Sequence, residues 1–207
     1  MTVAVKNSYH HGNLRQSLID AALELLKEEG INELSLRQVA KRVGVSHNAP
    51  YRHFEDKDAL LAAVAAQGFQ SLRDTMKKAQ RNLPLDSSQR LEAIGIAYVK
   101  FALAHPSHYR LMFGDYHCNL SKYSALAEAA QQSFMVLVNT IQEGQAAGIF
   151  RAVDPVNMAR VAWSMVHGQS MLILDNKLQV RSQEELETFL KFSSQTLLQG
   201  LSDNSAI

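Results

Sequence analysis

Apolar positions in this chain recur at helical spacing, with little of the alternation that marks strands. Leu14, Leu18, Ile19, Ala22, Leu25 and Leu26 form one stripe, closed by Glu28-Glu29-Gly30. A shorter stripe follows at Leu36, Val39, Ala40 and Val43. Ser35 stands before it, where a hydroxyl can accept an otherwise unpaired N–H. Gly44 stands after it, where only glycine enters the left-handed conformation without steric cost. Ser46 is expected to cap the next short helix. Pro50 fits within that helix's first turn, where its missing N–H costs little. Phe54 then turns back to the core. Glu55-Asp56-Lys57-Asp58 opens a further helix with Leu60, Leu61, Val64 and Phe69 on one face, and its acidic start suits the helix dipole. Two short helices joined by a tight turn are helix-turn-helix grammar. In that motif the second helix enters the major groove of DNA, with its first residues at the base edges.

The remaining chain reads as a series of longer helices. Residues 82–88 form a loop broken by Pro84. Helices are expected over 89–104, 107–113, 121–147, 155–174 and 183–201, with His105-Pro106, Gly148 and Pro155 as punctuation. Aromatics make up only 7% of the chain, and there are 4 prolines. The class is therefore all-α: a three-helix N-terminal helix-turn-helix domain followed by a helical bundle. The expected divisions are an arm over 1–8, the helix-turn-helix domain over 9–69 and a C-terminal helical domain over 70–207, whose regulatory and dimerisation role is what the family resemblance described below implies.

Composition removes several functions. No apolar run reaches the roughly 18 residues needed to span a membrane, and the N-terminus lacks a secretory apolar segment. One cysteine, Cys118, excludes an internal disulfide and suits a reducing cytoplasm. Lys and Arg total 21 against 20 for Asp and Glu, which argues against a nonspecific nucleic-acid coat. There is no Gly-x-Ser-x-Gly elbow, Gly-rich phosphate loop or His-Glu-x-x-His motif, so an enzyme is not expected. His105, His108, His117 and Cys118 match no compact zinc spacing. Neither metal nor cofactor is expected.

The first third resembles the N-terminal DNA-binding domain of TetR/AcrR-type transcriptional regulators. The matching residues are Ala21-Ala22, Leu25, Gly30, Ser35-Leu36-Arg37, Val39-Ala40 and Gly44-Val45-Ser46. They continue through Tyr51-Arg52-His53-Phe54 and Lys57-Asp58-Ala59-Leu60. Tyr9-His10-His11-Gly12-Asn13-Leu14-Arg15 is similar to one subgroup. Trp163 with Val166-His167-Gly168 resembles that subgroup's Trp/His/Gly signature in the C-terminal domain. The resemblance implies that Arg37 touches a phosphate or base edge near the start of the second helix. It implies phosphate contacts for Tyr51, His53 and Lys57. Ser46, His47, Asn48, Ala49 and Pro50 occupy the start of the recognition helix. There Asn48 suits a bidentate pair with adenine, and His47 can donate to a guanine acceptor. The Ala49 methyl or Pro50 ring can pack on a thymine methyl.

Charge qualifies this picture. Up to residue 60, Lys6, Arg15, Lys27, Arg37, Lys41, Arg42, Arg52 and Lys57 face eight acids: Asp20, Glu24, Glu28, Glu29, Glu33, Glu55, Asp56 and Asp58. With no net excess, attraction to DNA requires segregation. Arg15, Arg37, Lys41, Arg42, Arg52 and Lys57 are expected on one face, with Glu24, Glu28 and Glu29 turned away. Lys6, His10 and His11 put an adjacent phosphate or minor groove within reach of the arm.

The C-terminal resemblance implies ligand sensing and a homodimer built from the last two helices. Phe101, His105, Tyr109, Met112, Phe113, His117, Phe134, Trp163 and His167 are candidate pocket residues, apolar with a few polar anchors. Each aromatic among them also reads as plain core, and His167 as a structural histidine bonded to a neighbouring helix. Met165, Gly168, Leu172, Phe189, Leu190 and Leu197 are candidate interface residues. The expected function is a cytoplasmic homodimeric repressor, released from a palindromic double-stranded operator by a small-molecule effector. The alternatives are a helix-turn-helix regulator without a small ligand, or a helical adaptor for protein partners.

Overall fold

A computed structural model describes residues 13–85, 88–114 and 122–201. Among them are eight α-helices and a single 3-10 turn, with no strand. The arm over 1–8, His10, His11, His117 and Cys118 lie outside the described residues. Two compact units divide the chain: residues up to Gly68 with 107–127, and 69–106 with 128 onward.

In the first unit, α1 (Leu14–Glu28) starts where the Asn13 carboxamide oxygen accepts the Gln16 N–H at 3.2 Å. It buries Leu18, Ile19, Ala21, Ala22, Leu25 and Leu26. α2 (Leu36–Val43) packs against it. The Ser35 hydroxyl accepts the Gln38 N–H at 3.3 Å, and Gly44 ends the helix at φ 80°. That φ belongs to the left-handed region, and the Gly44 N–H returns to the Ala40 and Lys41 carbonyls. Caps at both ends explain why so short a helix keeps its register.

The next segment departs from expectation. Instead of an α-helix capped by Ser46, it forms a 3-10 turn, Pro50–Arg52. Ala49, Arg52 and His53 donate to carbonyls three residues back, those of Ser46, Ala49 and Pro50. Proline explains the tightening. Pro50 has no N–H to give the Ser46 carbonyl four residues back, and its ring crowds that carbonyl. Bonds of i to i−3 take over.

α3 (Lys57–Gln80) begins in the first unit and ends in the second. Asp56 caps it, accepting the Ala59 N–H at 2.7 Å. Also in the first unit lies most of α5 (Pro106–Phe113). Its buried His108 is 2.7 Å from the Val64 carbonyl through Nε2. A Cβ added to Gly68 would stand 2.5 Å from the Met112 sulfur and 2.7 Å from His108 Nε2, so α5 side chains pack directly on the α3 backbone there. Local periodicity places 107–127 with the C-terminal segment. These tertiary contacts bring it to the helix-turn-helix unit.

The second unit is built around α4 (Gln89–Ala104), which packs on α7 (Pro155–Leu174) and α8 (Gln183–Leu201). Ile94, Tyr98, Val99 and Ala102 are buried against this core, as are Met158, Ala162, Leu186 and Leu190. α6 (Ser124–Ala146) contributes Val138 and Ile141. Gly144 is required by Phe150, whose ring occupies the space a Cβ would take. α4 ends at His105 and α7 begins at Pro155, where the punctuation residues put them.

Candidate nucleic-acid interface

The recognition turn is held from inside by Pro50 and Phe54, both buried. With these two residues fixed inward, the side chains between and before them turn out. Tyr51 is 53% exposed, too open for a core aromatic. Ser46, His47, Asn48, Arg52 and His53 are exposed as well, and Ala49 is partly so. Pro50 therefore leaves the set of residues able to touch a thymine methyl. Its ring is committed to the core.

The basic residues divide differently from expectation. Arg42 is not on a common basic face. Its guanidinium forks onto Glu28 at 3.1 and 2.5 Å and lies 3.6 Å from Glu24. The Arg42 hydrogen bond holds the Glu28 carboxyl below its ordinary range. The acids of α1 thus neutralise Arg42 instead of facing away from it. Arg15 lies over the Phe54 ring at 5.3 Å, a cation–π contact. Lys57 donates to the Ile31 carbonyl at 2.6 Å and the Asn32 carbonyl at 3.4 Å. A cation at the first residue of α3 opposes the helix dipole, and these two carbonyls compensate it. Arg37, Lys41 and Arg52 remain exposed with no ion pair among the described residues. Arg52 stands out because it lies on the recognition turn itself. Residue type alone does not separate it from Arg42, since that distinction rests on a contact 14 positions away in sequence.

The candidate pocket residues fall in both units. Tyr109, Met112 and Phe113 belong to the first, and Phe101, His105, Phe134, Trp163 and His167 to the second. Tyr109 is fully buried and Phe101 nearly so, whereas His105 is exposed. In the second unit a polar chain links three of the rings. Trp163 Nε1 donates to the Tyr98 hydroxyl at 3.1 Å, and that hydroxyl lies 3.2 Å from His167 Nδ1. Phe134 meets Trp163 edge-on, with centroids 6.1 Å apart. Burial lowers the His167 pKa and favours neutral imidazole. His167 thus bonds a neighbouring helix. Tyr98 is the member that pattern reading left out, because its place in the apolar stripe of α4 looks like plain core. Among the described residues no cluster of metal-ligating side chains occurs, and no helix is long and apolar enough to cross a membrane.

On the outer faces of α7 and α8, Val161, Leu172 and Phe192 are 58%, 48% and 67% exposed. Met165, Gly168, Phe189 and Leu197 are partly exposed. A Cβ at Gly168 would meet nothing within 4 Å. Leu190 differs. At 2% exposure it is spent on the unit's own core and offers no surface to a second chain.

Comparison with known proteins agrees with this arrangement. The model for bacterial regulatory proteins of the tetR family matches residues 18–64, and that for the tetracyclin repressor-like C-terminal domain matches residues 91–195. The chain belongs to the TetR family. It is similar to the HTH-type transcriptional regulator YobS of Bacillus subtilis, with 28% identity over 196 residues covering 94% of this chain and 95% of YobS. Similarity to the regulator BetI of Escherichia coli is higher but shorter, at 40% over 81 residues, or 39% of this chain and 42% of BetI. A protein of unknown function from Rhodococcus sp. RHA1 has a similar structure, with TM-score 0.84 and 35% identity over 96% of this chain and all of that one. This TetR-family chain is a DNA-binding transcriptional regulator and not an enzyme. Its helix-turn-helix model match spans most of α1, all of α2, the recognition turn and the start of α3.

Proposed function

We propose that this regulator is a cytoplasmic homodimeric repressor that reads a palindromic operator and is released by a small-molecule effector. One observation carries the reading: buried Pro50 and Phe54 bracket exposed Tyr51, so that the recognition turn presents its polar side chains outward. Arg37, Tyr51 and His53 are the proposed phosphate contacts, which set register. Ser46, His47, Asn48 and Ala49 face the bases. Lys57 spends two of its three N–H groups on carbonyls and reaches a phosphate only with the third. Exposed Val161 and Leu172 on α7 and Phe192 on α8 support a homodimer, with partly exposed Met165, Gly168, Phe189 and Leu197 on the same two helices. The Tyr98-Trp163-His167 chain with Phe134 is the proposed effector-sensing region of the second unit. An effector shifts the equilibrium only through its preference for the form that does not bind DNA. α3 is a continuous helix from the DNA-binding unit to the second unit, and supports a transmission route.

The test is binding of the purified protein to DNA from upstream of its own gene, against scrambled DNA, across a salt series. Tight sequence-dependent binding with a steep negative salt slope is expected. No binding at low salt overturns the reading.

A further inference from the structure

We propose that Arg52 is the base-reading cation of the recognition turn and takes one guanine in each half-site. The inference rests on the DNA-binding reading above. Within residues 46–53 Arg52 is the one permanently charged side chain. It is exposed, and no ion pair engages it among the described residues. Arg37 and Lys41 are also exposed and unpaired among the described residues, but they lie on α2 and not on the recognition turn; the remaining cations nearby are engaged. Arg42 is forked onto Glu28, Arg15 covers Phe54, and Lys57 is held by two carbonyls.

Backbone geometry adds a second argument. The Arg52 N–H bonds the Ala49 carbonyl at 3.2 Å, a 3-10 spacing. In such a turn, side chains three apart eclipse. Arg52 is thus bonded back to the small, partly exposed Ala49, while Pro50 and Phe54 take the buried side. Small, outward-facing Ser46 and Ala49 let the backbone of the turn come close to a groove floor, while the one long side chain, Arg52, spans the remaining distance. The guanidinium fork then meets guanine O6 and N7, the major-groove acceptor pair that arginine fits in a bidentate manner. A phosphate would also accept this fork, but a phosphate contact carries no sequence information.

The experiment selects binding sites from a randomised duplex pool with the full chain, for wild type, R52A and R52K. Affinities for the selected duplex and its single-base variants are then measured across a salt series. Wild type is expected to select a G·C pair at symmetric positions and to lose roughly 10- to 100-fold on its replacement by A·T. R52A should bind both duplexes alike and still select the other positions. R52K should keep the wild-type salt slope, because its charge remains, yet lose the guanine preference, because its ammonium lacks the fork. Uniform loss by R52A on every duplex, with preference intact and a shallower salt slope, overturns the proposal and makes Arg52 a phosphate contact. Wild-type selection of no motif overturns the DNA-binding reading itself. Unchanged circular dichroism and melting of R52A, expected for an exposed side chain, separate these outcomes from misfolding.

Discussion

The Lys57 ammonium donates to the Ile31 carbonyl 26 positions earlier, at 2.6 Å. This bond ties the first residue of α3 to the loop between α1 and α2. The residue that pattern reading offers as a phosphate contact is thus also a clamp inside its own domain. Lys57→Met is expected to cost about 1.5–3 kcal/mol, the range for a hydrogen bond from a charged group. Thermal melting measures it. DNA affinity should fall on all sequences alike, with the salt slope lowered by about one as the phosphate-reaching charge is lost.

Asn48 is exposed at the start of the recognition turn. Asn48→Ala should relax base preference at one operator position by about 1–3 kcal/mol, the worth of a bidentate pair with adenine. Melting should stay at the wild-type value. An unaltered site profile would remove Asn48 from base reading.

Phe192 and Leu190 lie two residues apart on α8, yet one is 67% exposed and the other 2%. Phe192→Glu should give a folded monomer by sedimentation, with weakened operator binding. Leu190→Ala should instead lower unfolding stability by about 2–5 kcal/mol through a core cavity. A dimer that survives Phe192→Glu together with Phe189→Glu would move the interface elsewhere.

Burial pulls the His167 pKa below its ordinary 6.5. The unfolded chain therefore takes up this proton first as pH falls. His167 contributes its full stability above about pH 6.5, and loses it as pH drops from there through the lower folded-state value. Melting temperatures between pH 8 and 5 should fall more steeply for wild type than for His167→Gln. Equal slopes would show that the imidazole protonates alike in both states.

Tyr98→Phe removes the hydroxyl that accepts from Trp163 and faces His167. A loss of about 1–2 kcal/mol is expected, read by denaturant unfolding. A neutral result would mean that the two rings find replacement partners at no cost.

Much of this protein is written in its local sequence. Ser35 and Gly44 bound α2 because a hydroxyl and a left-handed glycine act on the nearest backbone groups. Pro155 opens α7, and apolar spacing marks the core faces of α4 and α8, for the same reason: each signal operates over one or two turns. The family followed from many such positions in order. Tertiary structure alone decided what lay beyond that range. It drew Arg42 onto Glu28 and Lys57 onto Ile31, leaving Arg37, Lys41 and Arg52 exposed. It buried Pro50, tightened the recognition helix to a 3-10 turn, and joined residues 107–114 to the first unit through His108 and Val64. Helical periodicity says which face turns inward. Which distant side chain or carbonyl waits there depends on packing between segments far apart in the chain.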